Sequence, residues 1–286
     1  MNMNGKTILL TGATGGIGEA IARQLASAGA RVILVGRSLN ELRRIERELQ
    51  HTAHKGFALQ ADIASAEGLE TIRVALTALQ LPVDVLINCA GVSLFGLLED
   101  NEPAAIEKVI NTNVTATILL TRQVMPFLHK EHGRILFIGS SFGALGFAGF
   151  SAYCASKFAL RGFAEALRRE LANTPIQIAY VAPRATDTRI NSDAVVALND
   201  ALGNSVDDPA TVAEAIEDLL VQNKLRDINL GWPERFFLRL NAIFPRLVDK
   251  GLQSKLPIIR RFARSSSNSI SSTIPSTGKT AASTTR

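Results

Sequence analysis

A chain of 286 residues fits one large α/β domain or two small ones, and 47% hydrophobic residues supply ample material for a core. Two cysteines, Cys89 and Cys154, are too few for a disulfide framework and suit a reducing compartment. The net charge of +5 hides a split, because residues 1–223 hold 19 Lys+Arg against 23 Asp+Glu while residues 224–286 hold 12 against 3. Such a basic end points to an anionic partner, a membrane surface or a nucleic acid.

Met1-Asn-Met-Asn-Gly-Lys6 leads straight into an apolar run, with no basic leader and long apolar segment behind it. No stretch reaches the length of a membrane span without a charge or strong polar interruption, so a cytoplasmic location is expected. Thr7 to Thr11 reads as a buried strand. It runs into Thr11-Gly-Ala-Thr-Gly-Gly-Ile-Gly18, and Ile17, Ala20, Ile21 and Leu25 then follow at helical spacing until Gly29. Glycines between a strand and a helix let the backbone turn tightly and approach a pyrophosphate, which lies on the helix N-terminus. The expectation is dinucleotide binding, with Gly12, Gly16 and Gly18 or Gly12, Gly15 and Gly18 as the working glycines.

Arg31 to Val35 reads as the second strand, and Gly36-Arg37-Ser38 follows. A carboxylate there would hold a ribose 2′-hydroxyl and repel a 2′-phosphate. Arg37 instead offers a forked cation, so NADP(H) is preferred and NAD(H) is the second choice. Ser38 caps a helix through Gln50, and Phe57 to Gln60 is the third strand. Asp62 follows it, placed to receive an adenine amino group. A helix from Ser65 to Gln80, a strand from Val83 to Asn88 and a long helical stretch from Glu102 to His129 come next. Arg134 to Gly139 is a fifth strand, Ser151 to Ala172 a helix and Ile176 to Val181 a sixth strand. Thr188 to Asp208 is long for a connection and reads as a functional or mobile loop. A helix from Pro209 to Gln222 and a short strand from Asp227 to Leu230 complete the alternation.

Strand and helix alternating at this interval predict a doubly wound, Rossmann-type parallel sheet of about seven strands with helices on both faces, over residues 1–231. A basic amphipathic extension (232–263) and a Ser/Thr-rich tail without structure (264–286) are expected after it. His51, His54, His129 and His132 show no metal-ligand spacing with Cys or carboxylates, so no metal is assigned.

Within Ser151-Ala-Tyr-Cys-Ala-Ser-Lys157, Tyr153 and Lys157 share one helix face. An ammonium beside a phenol favours the phenolate and draws its pKa from near 10 toward the working range. The pair reads as a tuned proton donor or acceptor.

These pieces resemble the short-chain dehydrogenase/reductases in their single-domain form. The resemblance rests on Thr11 to Gly18, Asn88-Cys-Ala-Gly91, Asn113, Ser140, Tyr153-Cys-Ala-Ser-Lys157 and Pro183 to Thr188, in family order from residue 6 to about 230. It implies that Tyr153 is the proton donor in carbonyl reduction, that Lys157 lowers its pKa and holds the nicotinamide ribose, and that Ser140 bonds the substrate oxygen. Ser141 competes for that last role, but Gly143 and Gly146 align best with Ser140. Asn113 is implied to bend the long helix and hold a relay water, and Thr188 to bind the nicotinamide carboxamide. The implied cofactor path takes in Gly12, Thr14, Gly15, Gly16, Ile17, Gly18, Arg37, Asp62, Ile63, Asn88, Ala90, Gly91, Tyr153, Lys157, Pro183 and Thr188. Cys89 stands where the family has Asn or another small residue. Arg184 replaces the usual Gly after Pro183, which leaves the shape of that loop open and a cofactor phosphate as an alternative contact. The glycine spacing also admits the extended branch with its sugar-nucleotide epimerases, against which the Ser-to-Tyr spacing and the missing substrate domain argue. A non-catalytic NADP(H)-binding sensor or scaffold is the other alternative, opposed by the intact Ser, Tyr and Lys. Assembly into a dimer or tetramer through the long helices is implied as well.

The expected substrate side is apolar: Phe95, Leu97, Phe142, Leu145, Phe147 and Phe150, with no charge between Ser140 and Tyr153. An apolar, lipid-derived carbonyl or alcohol fits it. Glu234 to Lys255 carries a helical apolar stripe, and Arg235, Arg239, Arg246 and Lys250 fall within about 60° of one another beside it. Pro245 must kink or split this helix. The stretch 234–264 suits peripheral contact with an anionic membrane, and its aliphatic and aromatic stripe speaks against nucleic acid.

Overall fold

A computed structural model describes residues 1–52, 54–222 and 225–271. Seven parallel strands form one sheet: β1 (Thr7–Thr11), β2 (Arg31–Gly36), β3 (Phe57–Gln60), β4 (Val85–Asn88), β5 (Arg134–Ile138), β6 (Gln177–Ala182) and β7 (Ile228–Asn229). Their order is β3-β2-β1-β4-β5-β6-β7. Direction of winding reverses between β1 and β4, and ligands of such sheets bind outside the strand C-termini at that point. The register pairs Ile8 with Val32 on one side and with Val85 on the other. Strands buried on both faces read as unbroken apolar runs, which is why Thr7–Thr11 and Arg134–Ile138 carry no alternation.

Helices cover both faces. One core, around Ile21, Leu25, Leu34 and Ile216, lies under α1 (Gly16–Ser27), α2 (Leu39–Glu48) and α8 (Pro209–Val221). The other, around Leu9, Ile72, Leu120, Phe137 and Leu160, lies under α3 (Ala66–Leu79), α5 (Ala116–Val124) and α6 (Ser151–Glu170), with α4 (Pro103–Ile110) against α6. Ser38 and Ser65 cap α2 and α3, accepting from the N–H groups of Glu41 at 3.4 Å and Gly68 at 3.0 Å. The long helix expected over 102–129 is broken by a π-turn at Asn111–Thr115 and closes in a 3-10 turn at Met125–Phe127.

Two expectations change. The connection Thr188 to Asp208 is not a plain loop, because it contains α7 (Asp193–Leu202). Val195 and Leu198 bury one face of it, and Gly203 takes the left-handed φ of +64° that ends it. At the C-terminal end, α9 (Glu234–Ile243) and α10 (Pro245–Gln253) divide at Pro245, and α11 (Leu256–Ser271) follows. The expected tail 264–286 therefore begins inside a helix, and its remainder from 272 on lies outside the described residues. Ile259 and Ala263 of α11 join Phe95, Phe150, Val195 and Leu198 in a third core, so the extension packs on the helix of the long connection.

At the N-terminal end of the strands, Asp84 accepts from Thr7 N (2.8 Å) and Lys6 Nζ (3.0 Å), and His132 Nε2 lies 2.8 Å from its carboxylate. Ligand atoms of Asp84, His129 and His132 lie within 4.8 Å of one another, a grouping the sequence spacing did not foreshadow. The Lys6 ammonium stands among them, 2.9 Å from His132 Nε2. Burial raises the Asp84 pKa, but the Thr7 N–H, Lys6 and His132 outweigh it and hold the carboxyl below its usual value. An unfolded Asp titrates near ~3.9, so this stabilisation is complete above that pH and is lost as pH falls through the lower folded value. Asp84→Ala is expected to cost about 3 kcal/mol in urea unfolding at neutral pH, because it orphans buried partners. The gap to wild type should narrow below pH ~4; a gap independent of pH would refute the ionic part of the account.

Candidate active site

The glycine turn sits at the C-terminal end of β1, next to the switch point. Gly12 takes a φ of +67°, and a Cβ there would lie 2.7 Å from the backbone of Ala90. A Cβ on Gly18 would overlap the Gly12 carbonyl oxygen. The first turn of α1 can therefore seat on the loop only with glycine at both positions. Gly15 is the N-cap and no side chain caps α1, so first-turn N–H groups remain open to an anion. Thr11 Oγ1 accepts from Cys89 N and Ala90 N, both at 3.2 Å, which ties the end of β4 to the turn.

Around this turn opens a cleft of about 1710 Å3. It is lined by Gly12, Thr14, Gly15, Gly16, Ile17, Gly18, Arg37, Asp62, Ile63, Ala90, Gly91, Ser140, Phe142, Leu145, Phe150, Tyr153, Lys157, Pro183 and Thr188, all anticipated from the sequence. Four anticipated residues do not line it, among them Leu97, which packs against the third core. Asn88 is buried in β4, where its amide donates to Thr121 Oγ1 at 3.3 Å. Phe95 is buried and packs on Phe150, ring centroids 4.8 Å apart, so it backs the wall instead of forming it. Asn113 lies in the π-turn with its side chain fully engaged: Oδ1 accepts from Val92 N at 2.8 Å, and Nδ2 donates to Val92 O at 2.9 Å and Ser156 Oγ at 3.0 Å. It pins the loop after β4 to α6.

Tyr153 stands in the first turn of α6, with Phe142 and Phe150 edge-on to its ring at 6.4 and 6.3 Å. The Ser140 side chain lies beside its hydroxyl and favours the phenolate. Lys157 is buried one turn on, 5.7 Å from the Tyr153 ring centroid, and its ammonium donates to Ile138 O at 3.1 Å. Burial pushes the Tyr153 phenol up to about 12, and the Ser140 side chain opposes it only in part. This reverses the sequence expectation, in which the lysine dominates and draws the phenol downward. The physical reason is desolvation: the phenolate loses more water here than the neighbouring groups replace. Burial also lowers the Lys157 ammonium to about 8, with the Cys89 thiol beside it as a smaller opposing influence. Cys89 itself is raised to about 12 by burial, and the Lys157 charge pulls it the other way.

Sequence reasoning passed over two residues. Tyr180, the second of the chain's two tyrosines, stands behind the site on β6. Its oxygen accepts from Ser140 N at 3.2 Å, and its proton faces the carbonyls of Ser140 and Lys157 at 3.4 and 3.3 Å. Its ring fills the space that side chains at 139 and 143 would need, so Gly139 and Gly143 are the trace of it in the sequence. Arg189 is the other: its guanidinium reaches Thr14 O at 3.3 Å across the glycine turn. Among the described residues neither Arg37 nor Arg189 pairs with a carboxylate, whereas Arg23 and Arg44 nearby are tied to Glu19 and Glu48.

Arg184 lines the cleft and is engaged by two carboxylates. It bonds Asp207 at 2.6 Å, Glu234 at 3.3 Å and Trp232 O at 3.2 Å, clasping the long connection to the start of α9. Among the described residues only Gln80 departs from negative φ outside glycine, so the loop turns at Arg184 without a left-handed residue.

Comparison with known proteins agrees with this geometry. The short chain dehydrogenase family model matches residues 6–197. The ketoacyl reductase HetN of Nostoc sp. is 33% identical over 256 residues, 87% of this chain and 88% of that protein. The 3-dehydrosphinganine reductase of Danio rerio is 34% identical over 194 residues, 66% of this chain and 58% of that protein. Among solved structures, a short chain dehydrogenase from Burkholderia cenocepacia in complex with NADP superposes with a TM-score of 0.73 at 27% identity, covering 82% of this chain and all of that one. A Rossmann-type sheet, a glycine turn at its switch point and a Ser–Tyr–Lys cluster in the same cleft thus belong together, and this chain is a member of the short-chain dehydrogenase family of oxidoreductases.

Proposed function

We propose that this protein reduces a carbonyl on an apolar, lipid-derived molecule, with NADPH as the preferred partner and Tyr153 as the proton donor. The observation that carries the reading is the meeting of Ser140, Tyr153 and Lys157 with the glycine turn in one cleft whose other wall is aromatic and aliphatic. A bound nicotinamide supplies the hydride. The chain's own residues handle the charge that builds on the carbonyl oxygen. Tyr153, raised to about 12, is a phenol at neutral pH and so is loaded to give a proton, which favours the reductive direction. Ser140 offers a second hydroxyl at the same oxygen. Lys157, near 8, is still mostly cationic at neutral pH and offsets the phenolate left behind. Tyr180 holds the Ser140 backbone, and Asn113 holds the loop at Val92, so both position the cluster without touching the reacting atoms.

The substrate reading is supported by the pocket walls and by two relatives whose names speak of ketoacyl and dehydrosphinganine reduction. At about 1710 Å3 the cleft exceeds the ~300–1,000 Å3 that serves a single small ligand, leaving room for a long chain beside a dinucleotide. The preference for NADPH rests on Arg37 and Arg189, which line the cleft and pair with no carboxylate among the described residues, Arg189 reaching Thr14 O. Arg37→Ala is expected to weaken NADPH binding by about tenfold or more, the worth of a charge-assisted bond, and to leave NADH binding unchanged. Equal loss for both cofactors, measured by fluorescence titration, would remove the 2′-phosphate from the account. Pairing of subunits through the outer faces of α5 and α6, which expose Leu119 and Phe158, belongs to the same reading.

The direct test is NADPH consumption with a panel of long-chain 3-ketoacyl thioesters and long-chain amino ketones, against short polar ketones. Turnover confined to the long apolar compounds is expected. Turnover of the polar ketones alone would defeat the substrate reading.

A further inference from the structure

Six large apolar side chains, Trp232, Phe236, Phe237, Ile243, Phe244 and Leu247, are between 47% and 71% exposed within a short stretch of chain. Elsewhere among the described residues the exposed large apolar side chains fall about one to an element or loop: Val74 on α3, Leu119 on α5, Phe158 on α6. Singly they need no explanation, but a cluster does. Trp232 and Phe236 are in ring contact at 6.2 Å, and Phe236 and Phe237 at 5.8 Å, so these three form one surface, and Ile243, Phe244 and Leu247 follow where α9 meets α10.

The helices that carry it are firmly seated. Leu238 and Val248 are buried, Asn241 Nδ2 donates to Ala144 O at 3.0 Å, and Glu234 is held by Arg184. Their inner side, with Leu240, Val248 and Leu252, lines the cleft, and the exposed Phe237 and Leu247 line it too, so the exposed surface adjoins the cleft. The apolar outer side is therefore not a face waiting to fold onto its own core.

Charge decides what covers it. Residues 232–264 hold eight Lys and Arg against two carboxylates, and one of those, Glu234, is already paired with Arg184. Arg235, Arg239, Arg246 and Lys250 are exposed on the same two helices. A second copy meeting this surface symmetrically would set these cations against themselves. An anionic bilayer meets both properties at once: aromatic rings seat at the headgroup level, and Lys and Arg reach the anionic lipids. No helix among the described residues is long and apolar enough to cross a membrane, so the contact is interfacial.

We propose that the outer face of α9 and α10 is a docking surface for anionic lipid bilayers, and that it sets the mouth of the cleft against the membrane. The docking claim stands on the surface alone. Its consequence, that a lipid ketone passes from the bilayer between these helices to Tyr153, rests on the function proposed above. Trp232 is the chain's single tryptophan, so its emission reports on this surface without a label.

The test uses the full chain with vesicles of phosphatidylcholine alone, or with about one-third phosphatidylserine, at physiological salt. Expected are flotation with the anionic vesicles at least tenfold above the neutral ones and a blue shift of Trp232 emission only with the former. Phe236→Ser with Phe244→Ser, and separately Arg239→Glu with Arg246→Glu, should each lower flotation tenfold or more. Melting temperature and NADPH binding close to wild type would show that both variants fold. Recovery of wild type in the unbound fraction with both vesicles, equal binding to both, or variants that float like wild type would each overturn the proposal. So would a Phe236/Phe244 variant that changes subunit count in native mass spectrometry while vesicle binding stays intact, since that assigns the face to a second copy. Flotation needs no turnover, so failure here is distinguishable from failure of the carbonyl reductase reading.

Discussion

Tyr153→Phe is expected to lower carbonyl reduction by about 10³-fold, inside the 10²–10⁴ range that a positioned general acid contributes. NADPH affinity and melting temperature should stay close to wild type. The ring edges toward Phe142 and Phe150 survive the change, and only the hydroxyl beside Ser140 is lost. Ser140 alone then faces the developing alkoxide, with no acid to finish the reaction. The pH dependence follows from the same groups. Tyr153 stays protonated through the neutral range, so the first loss on the alkaline side belongs to Lys157. As pH rises through about 8 that ammonium gives up its proton, the phenolate loses its counter-charge, and kcat/KM for reduction should fall. A rate within threefold of wild type in the Phe variant would place the proton source elsewhere and leave Tyr153 as packing.

Most of the sheet and most of the cleft were legible in the chain, for reasons tied to particular residues. Apolar runs ended by Gly12, Gly36 and Gly139 mark strands buried on both faces, and Ser38 and Ser65 mark helix starts with a mechanism. The Tyr153–Lys157 spacing carries the site because a helix turns spacing into proximity. Helix α7 escaped because its apolar positions Val195, Leu198 and Leu202 span under three turns, too short for a period to stand out between two loops. Its cap signals, Ser192 before and Gly203 after, were there to be used. Tyr180 escaped because its role is long-range: a β6 side chain filling the space left by two glycines about forty residues away has no local signature. The direction of the Tyr153 pKa was misjudged because a sequence shows which charges are near and does not show how much water is gone. Arg184 was correctly singled out as a departure, but only the fold reveals Asp207 and Glu234 as its partners.

Gly18→Ala is expected to destabilise the protein by about 3 kcal/mol or more, beyond the usual ~1–3 kcal/mol of an overpacked core, and to weaken NADPH binding at least tenfold. The added methyl meets the Gly12 carbonyl, which is backbone and cannot rotate away. Either α1 lifts from the turn or the turn opens, and both movements take the open N–H groups of the first turn away from where a pyrophosphate would lie. Two further alanines set the scale. At Gly16 the new Cβ would lie 2.6 Å from Thr188 Cγ2, a side chain that can turn aside, so the stability cost should be near ~1 kcal/mol. Cofactor affinity should still fall there, because Thr188 is the residue displaced. At Gly162, inside α6, no atom lies within 4 Å of the added methyl, and Gly-to-Ala in a helix interior should stabilise by roughly 0.5–1 kcal/mol. Thermal unfolding of the three variants should therefore rank Gly162→Ala above wild type, Gly16→Ala below it and Gly18→Ala lowest. Wild-type melting and NADPH affinity in Gly18→Ala would show that the turn yields without cost, and the steric account of the cradle would fall with it.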